Sequence, residues 1–276
     1  MAFDSNDKII NALWVGNRLS QVELLTINSF LKNGHTFILW AYDQLQNKLP
    51  PDLIIKDAEE LISRKQVFYY KNSDQYGHGK GSYAGFSDIF RYKLLYEIGG
   101  WWVDMDVTCL KPFHFSEPYV FRKHQNFPVV GNIMKCPKGS ELMKRCFEQS
   151  MASVNENNKN WNLPIQILND NIKVLGLTSY IKTISNHDKW NDVRKMLFKD
   201  VKIQESWSAI HWINEEWRRN NIDKNTFYKN STIGNLHKKY VGNDANLLHK
   251  LSFKNRLKLS FLGAASIQVK DWIIKG

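Results

Sequence analysis

Two aspartates, Asp104 and Asp106, directly follow the apolar run Trp101-Trp102-Val103. On an extended chain residues two apart face one side, so the spacing predicts that both carboxylates share a face while Met105 turns away. Like charges held that close beside an apolar strand repel unless a cation lies between them. Mg²⁺ or Mn²⁺, bound through one or two carboxylates and the phosphates of a substrate, meets that need. An acidic turn is the plain alternative, because a bare D-x-D is common by chance. A second pair lies upstream. At helical spacing Asp88 and Arg91 fall about 60° apart, on a face shared with Leu95 and Ile98. Ionised groups on an apolar face need partners, either each other or the hydroxyls and phosphates of a ligand.

The elements that carry these residues are legible. Lys8–Gly16 reads as a strand, Ser20 caps a helix that stops at Gly34, and His35–Tyr42 reads as a second strand. A short helix over Asp57–Lys65 and a strand at Val67–Tyr70 are expected before the loop SDQYGHGKG, whose three glycines suggest mobility or a close ligand. Ser82–Ile98 reads as a helix stopped by Gly99-Gly100, and Trp101–Val103 as a short buried strand. Further on, strands are expected near Tyr119–Arg122 and Val201–Glu205, with helices over Ser140–Met151 and near Asp188–Phe198. Alternating β and α in the first third argues for a parallel sheet with ligands at the carboxyl ends of its strands.

Composition narrows the class. A chain of 276 residues with 43% hydrophobic and 13% aromatic content can bury a large core. Cys109, Cys136 and Cys146 are odd in number and form no C-x-x-C, so neither a disulfide framework nor a closed zinc site is indicated. Asp4 and Asp7 stand where a signal peptide needs cations, and no apolar run reaches the roughly 20 residues of a membrane span. The expected location is cytoplasmic. A net charge of +11 points to a polyanionic partner.

Together these residues resemble a family. The run S-D-x-x-R (Ser87, Asp88, Arg91), followed by x-G-G-x-x-x-D-x-D ending at Asp104 and Asp106, is similar to the signature of the DXD-motif sugar transferases of the GT-A fold. That group includes capsular-polysaccharide sugar transferases, initiation-type α-mannosyltransferases, globoside α-1,4-galactosyltransferases and glucosylating toxin catalytic domains. The resemblance implies an α/β fold of GT-A type, a single Rossmann-like mixed sheet flanked by helices with a helical C-terminal part, over residues 1–248. It implies that Asp88 and Arg91 hold the donor, that Asp104 contacts ribose and metal, and that Asp106 ligates the metal. Trp14 matches a first-strand Trp beside the nucleobase, which is otherwise a core aromatic. Asn132, otherwise a turn residue, falls near the transferred sugar. His211, otherwise a satisfied core histidine, lies beside metal and diphosphate as a further ligand. The Gly-Pro expected before the following helix is replaced by Leu163-Pro164.

The implied reaction is Mn²⁺- or Mg²⁺-dependent transfer of a hexose from a nucleotide diphosphate sugar to a hydroxyl of a glycan or lipid-linked acceptor. UDP-hexose is the first choice of donor and GDP-mannose the second, with retention of configuration, in polysaccharide synthesis of the capsule or lipopolysaccharide type. Residues 249–276 carry six Lys/Arg against Asp271 alone, mixed with leucines and aromatics. That basic amphipathic tail suits a peripheral anchor on the anionic inner face of a membrane, or a solvated helix closing the core. Two other classes compete. A nucleic-acid-binding protein would use the basic surface and aromatics, yet the charge is concentrated at one end. A metal-dependent phosphohydrolase would use Asp104 and Asp106 but has no need of Trp14 or S-D-x-x-R.

Overall fold

The computed structural model describes residues 8–249; the basic tail expected beyond His249 lies outside the described residues. Strand β1 (Ile9–Trp14) enters the core, and Ser20 then starts α1 (Gln21–Lys32). A reciprocal capping box fixes that start: the Ser20 hydroxyl accepts from the first turn while Glu23 accepts from the Ser20 N–H at 2.6 Å. Strands β2 (Thr36–Ala41) and β3 (Ile54–Asp57) follow. Helix α2 (Ala84–Glu97) runs to β4 (Gly100–Val103) through Gly99 and Gly100, both at positive φ.

The strands β1, β2, β3 and β4 are mutually parallel where they pair, as the β/α alternation predicts. The sheet then reverses. Strand β7 (Val129–Cys136) runs antiparallel to both β4 and β6 (Val120–Lys123), and the two-residue β8 (Ile181–Lys182) completes the order β3-β2-β1-β4-β7-β6-β8. This is the expected mixed α/β sheet. Helix α2 covers one face with α3 (Glu141–Ser153) and α4 (Leu163–Val174), around Trp102, Phe90 and Met134. The other face packs Trp101, Val103 and Ile133 with Ile27 and Phe30 of α1. The opposite side of α1 meets α5 (Trp190–Phe198) and α7 (Thr232–Tyr240) through Val22, Leu25, Val193 and Leu236. Adjacent tryptophans of β4 thus anchor opposite faces, a direct consequence of strand alternation.

Four local expectations are corrected. Residues 57–65 form two 3₁₀ turns, Ala58–Glu60 and Arg64–Gln66, because Asp57 and Ser63 each cap a separate short turn. Val67–Tyr70 is no strand; it runs beside the end of the glycine loop, with Tyr70 N–H donating to Ser82 O and Gly81 N–H to Tyr70 O. Val201–Glu205 finds no sheet partner, and the Val201 N–H donates instead to the Thr232 hydroxyl at 2.8 Å. The fourth concerns Asp104 and Asp106. Strand β4 ends at Val103, and Met105-Asp106 turn into β5 (Val107–Cys109), so strand alternation is not what places the two carboxylates.

Candidate active site

Register positions the site. The pair Val103↔Ile133 sets Asp104 beside Asn132, whose carbonyl accepts the Asp104 N–H at 2.9 Å. In a small separate sheet β5 pairs antiparallel with β9 (Ala209–His211), and Val107↔His211 brings His211 next to Asp106. Because β1 and β4 are parallel, Trp14 and Asp104 leave the sheet at the same carboxyl edge, where ligands of open α/β sheets bind.

Two charged clusters meet at this edge. In the first, buried Arg91 donates from Nη1 to Asp88 Oδ1 at 2.5 Å and from Nη2 to Asp104 Oδ1 at 2.6 Å. The Trp102 indole also donates to Asp104 Oδ1, at 2.7 Å, and its ring lies 5.1 Å from the guanidinium. Gly131 makes room: a Cβ there would overlap Arg91 Nη1 and lie 3.2 Å from Cζ. Burial pushes the Asp88 carboxyl up to about 6, with Asp104 adding to the rise and Arg91 opposing it. Arg91 therefore meets carboxylates with both terminal nitrogens, pairing with Asp88 on its own helix and supporting the nearby Asp104 at the same time.

The second cluster centres on His211. Its Nε2 lies 3.3 Å from Asp106 Oδ2 and its Nδ1 lies 2.9 Å from Asp188 Oδ1. Asp106 also accepts the Asn214 N–H at 2.6 Å, from the start of α6 (Asn214–Arg219). Asp188 in turn takes both terminal nitrogens of Arg122, at 2.6 and 2.9 Å, and faces His124 at 3.3 Å. Arg122 has no exposed surface. Burial alone would lower the His211 imidazole, but Asp188 and Asp106 raise it to about 10. Against the upward pull of burial, His211 and Arg122 hold Asp188 well below the usual carboxylate range. His211 holds Asp106 down in the same way.

Asn132 joins the clusters. Its backbone receives Asp104, its Oδ1 faces Arg122 Nη1 at 3.4 Å, and its buried Nδ2 has no hydrogen-bond partner among the described residues. A buried amide donor left unpaired is costly, which suits a group waiting for a ligand oxygen. Trp14 stands apart from these contacts. Its indole donates to Arg18 O at 3.1 Å, and the Lys224 ammonium, paired with Glu23 at 2.6 Å, lies 5.8 Å from its ring.

Asp104 and Asp106 each keep one carboxylate oxygen, Oδ2 and Oδ1, without a hydrogen-bond partner among the described residues. Hard oxygen donors of this kind suit Mg²⁺ or Mn²⁺. No group of three or more His, Cys, Asp or Glu among the described residues already has cation-holding geometry. The residues fit a cation but are held meanwhile by Arg91 and His211.

Residues 20–127 match the family model of the glycosyltransferase sugar-binding region containing the DXD motif. That part of the chain is thus similar to a DXD-type glycosyltransferase region. Its enzyme class is that of a transferase. The matched stretch includes Asp88, Arg91, Asp104 and Asp106 and leaves Asn132, Asp188 and His211 beyond it. Subversion of eukaryotic traffic protein A of Legionella pneumophila is 23% identical over 159 residues, covering 50% of this chain and 24% of that protein. The chain thus spans about a quarter of that relative's length. Among solved structures, PaToxG Glycosyltransferase aligns with a TM-score of 0.44 at 16% identity, over 63% of this chain and 73% of its own. A transferase mutant aligns with a TM-score of 0.41 at 8% identity, over 63% and 86%.

Asn186, Asp188 and Arg122 were missed by sequence reasoning. Arg122 follows the apolar Val120-Phe121 and is itself buried in the strand, and a buried charge demands a partner; the partner lies 66 residues away in the chain.

Proposed function

We propose that this transferase moves a hexose from a nucleotide diphosphate sugar to a hydroxyl of a glycan or lipid-linked acceptor, with Mn²⁺ or Mg²⁺ at Asp104 and Asp106. The observation that carries the reading is the Arg91 hub within the matched region: one buried guanidinium orders Asp88 and Asp104 at the carboxyl edge of the sheet, beside Asp106. A nucleic-acid-binding surface has no use for such a hub.

In this reading Asp88 accepts a donor hydroxyl on Oδ2, the oxygen that Arg91 leaves open. Asn132 Nδ2 donates to a hydroxyl of the sugar being moved. Trp14 stacks on the base. Arg91 acts through the carboxylates it holds rather than on the phosphates. Asp106 and Asp104 would hold the cation, and His211 Nε2 would be a further ligand once the cation displaces the proton that it shares with Asp106. A divalent cation bound there supplies Lewis-acid neutralisation of the leaving diphosphate. The bond from the anomeric carbon to the diphosphate breaks and one to the acceptor oxygen forms, with retention of configuration, and the acceptor hydroxyl's proton leaves with the nucleoside diphosphate. UDP-hexose is the preferred donor and GDP-mannose the second. The match to a sugar-binding DXD region supports the donor class, and polysaccharide assembly at an anionic membrane face, reached through residues 249–276, remains our reading of the acceptor side. No helix among the described residues is long and apolar enough to cross a membrane.

The test is a panel of UDP-hexoses and GDP-mannose with the full chain, with and without Mn²⁺, scored for free nucleoside diphosphate. Metal-dependent release of UDP or GDP is expected. Release of inorganic phosphate instead would favour a phosphohydrolase, and a DNA-induced thermal shift without any donor response would favour a nucleic-acid-binding protein.

A further inference from the structure

Outside the matched region, one short segment grips His211 twice. Asn186 pairs with its backbone in both directions: Oδ1 accepts the His211 N–H at 2.8 Å and Nδ2 donates to the His211 carbonyl at 3.0 Å. Two residues on, Asp188 meets the His211 ring at Nδ1, 2.9 Å away. The segment is itself anchored. Ser185 bridges in parallel to Ala209, Ser208 N–H donates to Ile184 O, and Arg122 binds the Ser185 hydroxyl, the Asn186 carbonyl and both Asp188 oxygens. One fully buried guanidinium thus gives four hydrogen bonds to this single segment.

We propose that Asp188 is a positioning residue for the transferase site: with Asn186 and Arg122 it clamps His211 so that Nε2, and not Nδ1, is the nitrogen presented to Asp106 and the cation. A histidine whose backbone alone is fixed can still turn its ring; a carboxylate at Nδ1 removes that freedom and dictates which nitrogen ligates. This inference rests on the proposed metal site and names what sets its geometry.

The experiment titrates Mn²⁺ alone onto the full chain, with free ion read by electron paramagnetic resonance, for wild type, Asp188→Asn, His211→Gln and the double variant. Asp188→Asn is expected to weaken Mn²⁺ binding about 10- to 100-fold, the usual effect of losing such an outer partner. Because Asp188 acts through His211, the double variant should bind no more weakly than His211→Gln. Asp188→Glu, which keeps the carboxylate, should recover part of the loss. Should Asp188→Asn fail to fold, Arg122→Met with Asp188→Leu removes the buried pair together, a change that cores often tolerate, and the same loss is expected. Unchanged Mn²⁺ affinity in Asp188→Asn, or losses that multiply in the double variant, would overturn the clamp while leaving the metal site standing. A wild-type chain that takes up no Mn²⁺ would instead overturn the metal site, and the clamp with it.

Discussion

Gly131→Ala probes the Arg91 hub without replacing a charged group. Gly131 is not at positive φ, so its backbone accepts alanine, and the whole effect comes from the added methyl. That methyl would overlap Nη1 of Arg91 and lie 3.2 Å from Cζ and 3.5 Å from Cδ. The guanidinium cannot simply swing away, since Asp88 and Asp104 hold it at 2.5 and 2.6 Å and Trp102 flanks it at 5.1 Å. Hydrogen bonds to charged groups contribute about 1.5–3 kcal/mol each, and uncoupling a buried pair costs about 3–5 kcal/mol. Asp104 keeps 30% of its side chain exposed, so its bond is screened and belongs at the low end. A loss of about 2–4 kcal/mol follows from disturbing one of the two bonds. At about 2–4 °C per kcal/mol for a chain of this size, Tm falls by roughly 5–15 °C. Donor affinity falls with it, because Asp88 and Asp104 lose their shared anchor. The assay is a thermal melt with a donor titration, repeated in an Arg91→Met background where the methyl displaces no buried charge. There Gly131→Ala should add little. A Gly131→Ala protein with wild-type Tm and donor affinity would refute the claim that Arg91 is locked in this slot.

Three further outcomes are expected. Asp88 sits at about 6, above the usual carboxylate value; ionised Asp88 therefore costs stability above that pH, and the cost fades as pH falls from about 6 toward 4. Donor binding runs the opposite way, weakening as Asp88 takes up its proton, and Asp88→Asn should bind weakly with that pH step gone; an unchanged step would place the titration elsewhere. Trp14→Ala should weaken nucleotide binding by about 1–3 kcal/mol, the usual worth of one stacked base, and an unaltered nucleotide Kd would return Trp14 to a packing role. Removal of residues 250–276 should lower binding to anionic liposomes more than turnover on a soluble acceptor, whereas equal losses would assign the tail to the core.

The residues that could be read from the sequence were those whose partners lie close in the chain. Ser20 and Glu23 declare the start of α1 within four residues, and Gly99-Gly100 declare the end of α2. The S-D-x-x-R and D-x-D segments converge because one helix and one short strand join them, and Arg91 spans the gap. Elements set by distant partners were hidden. Strand β7 is buried along all eight residues and so shows no alternation. Helix α4 begins at Leu163-Pro164 behind an asparagine-rich loop, with no side-chain cap to announce it. The pairing of β5 with β9, which alone brings His211 to Asp106, joins residues more than 100 apart and leaves no local trace.

The most direct measurement compares Mn²⁺-dependent binding of UDP and GDP to the wild-type chain and to Asp106→Asn. The amide still accepts the Asn214 N–H and Asp188 still holds the His211 ring, so the fold should persist with a lowered melt. The account predicts metal-dependent nucleotide binding in the wild type and its loss in Asp106→Asn. Equally tight, metal-dependent binding by the variant would contradict it.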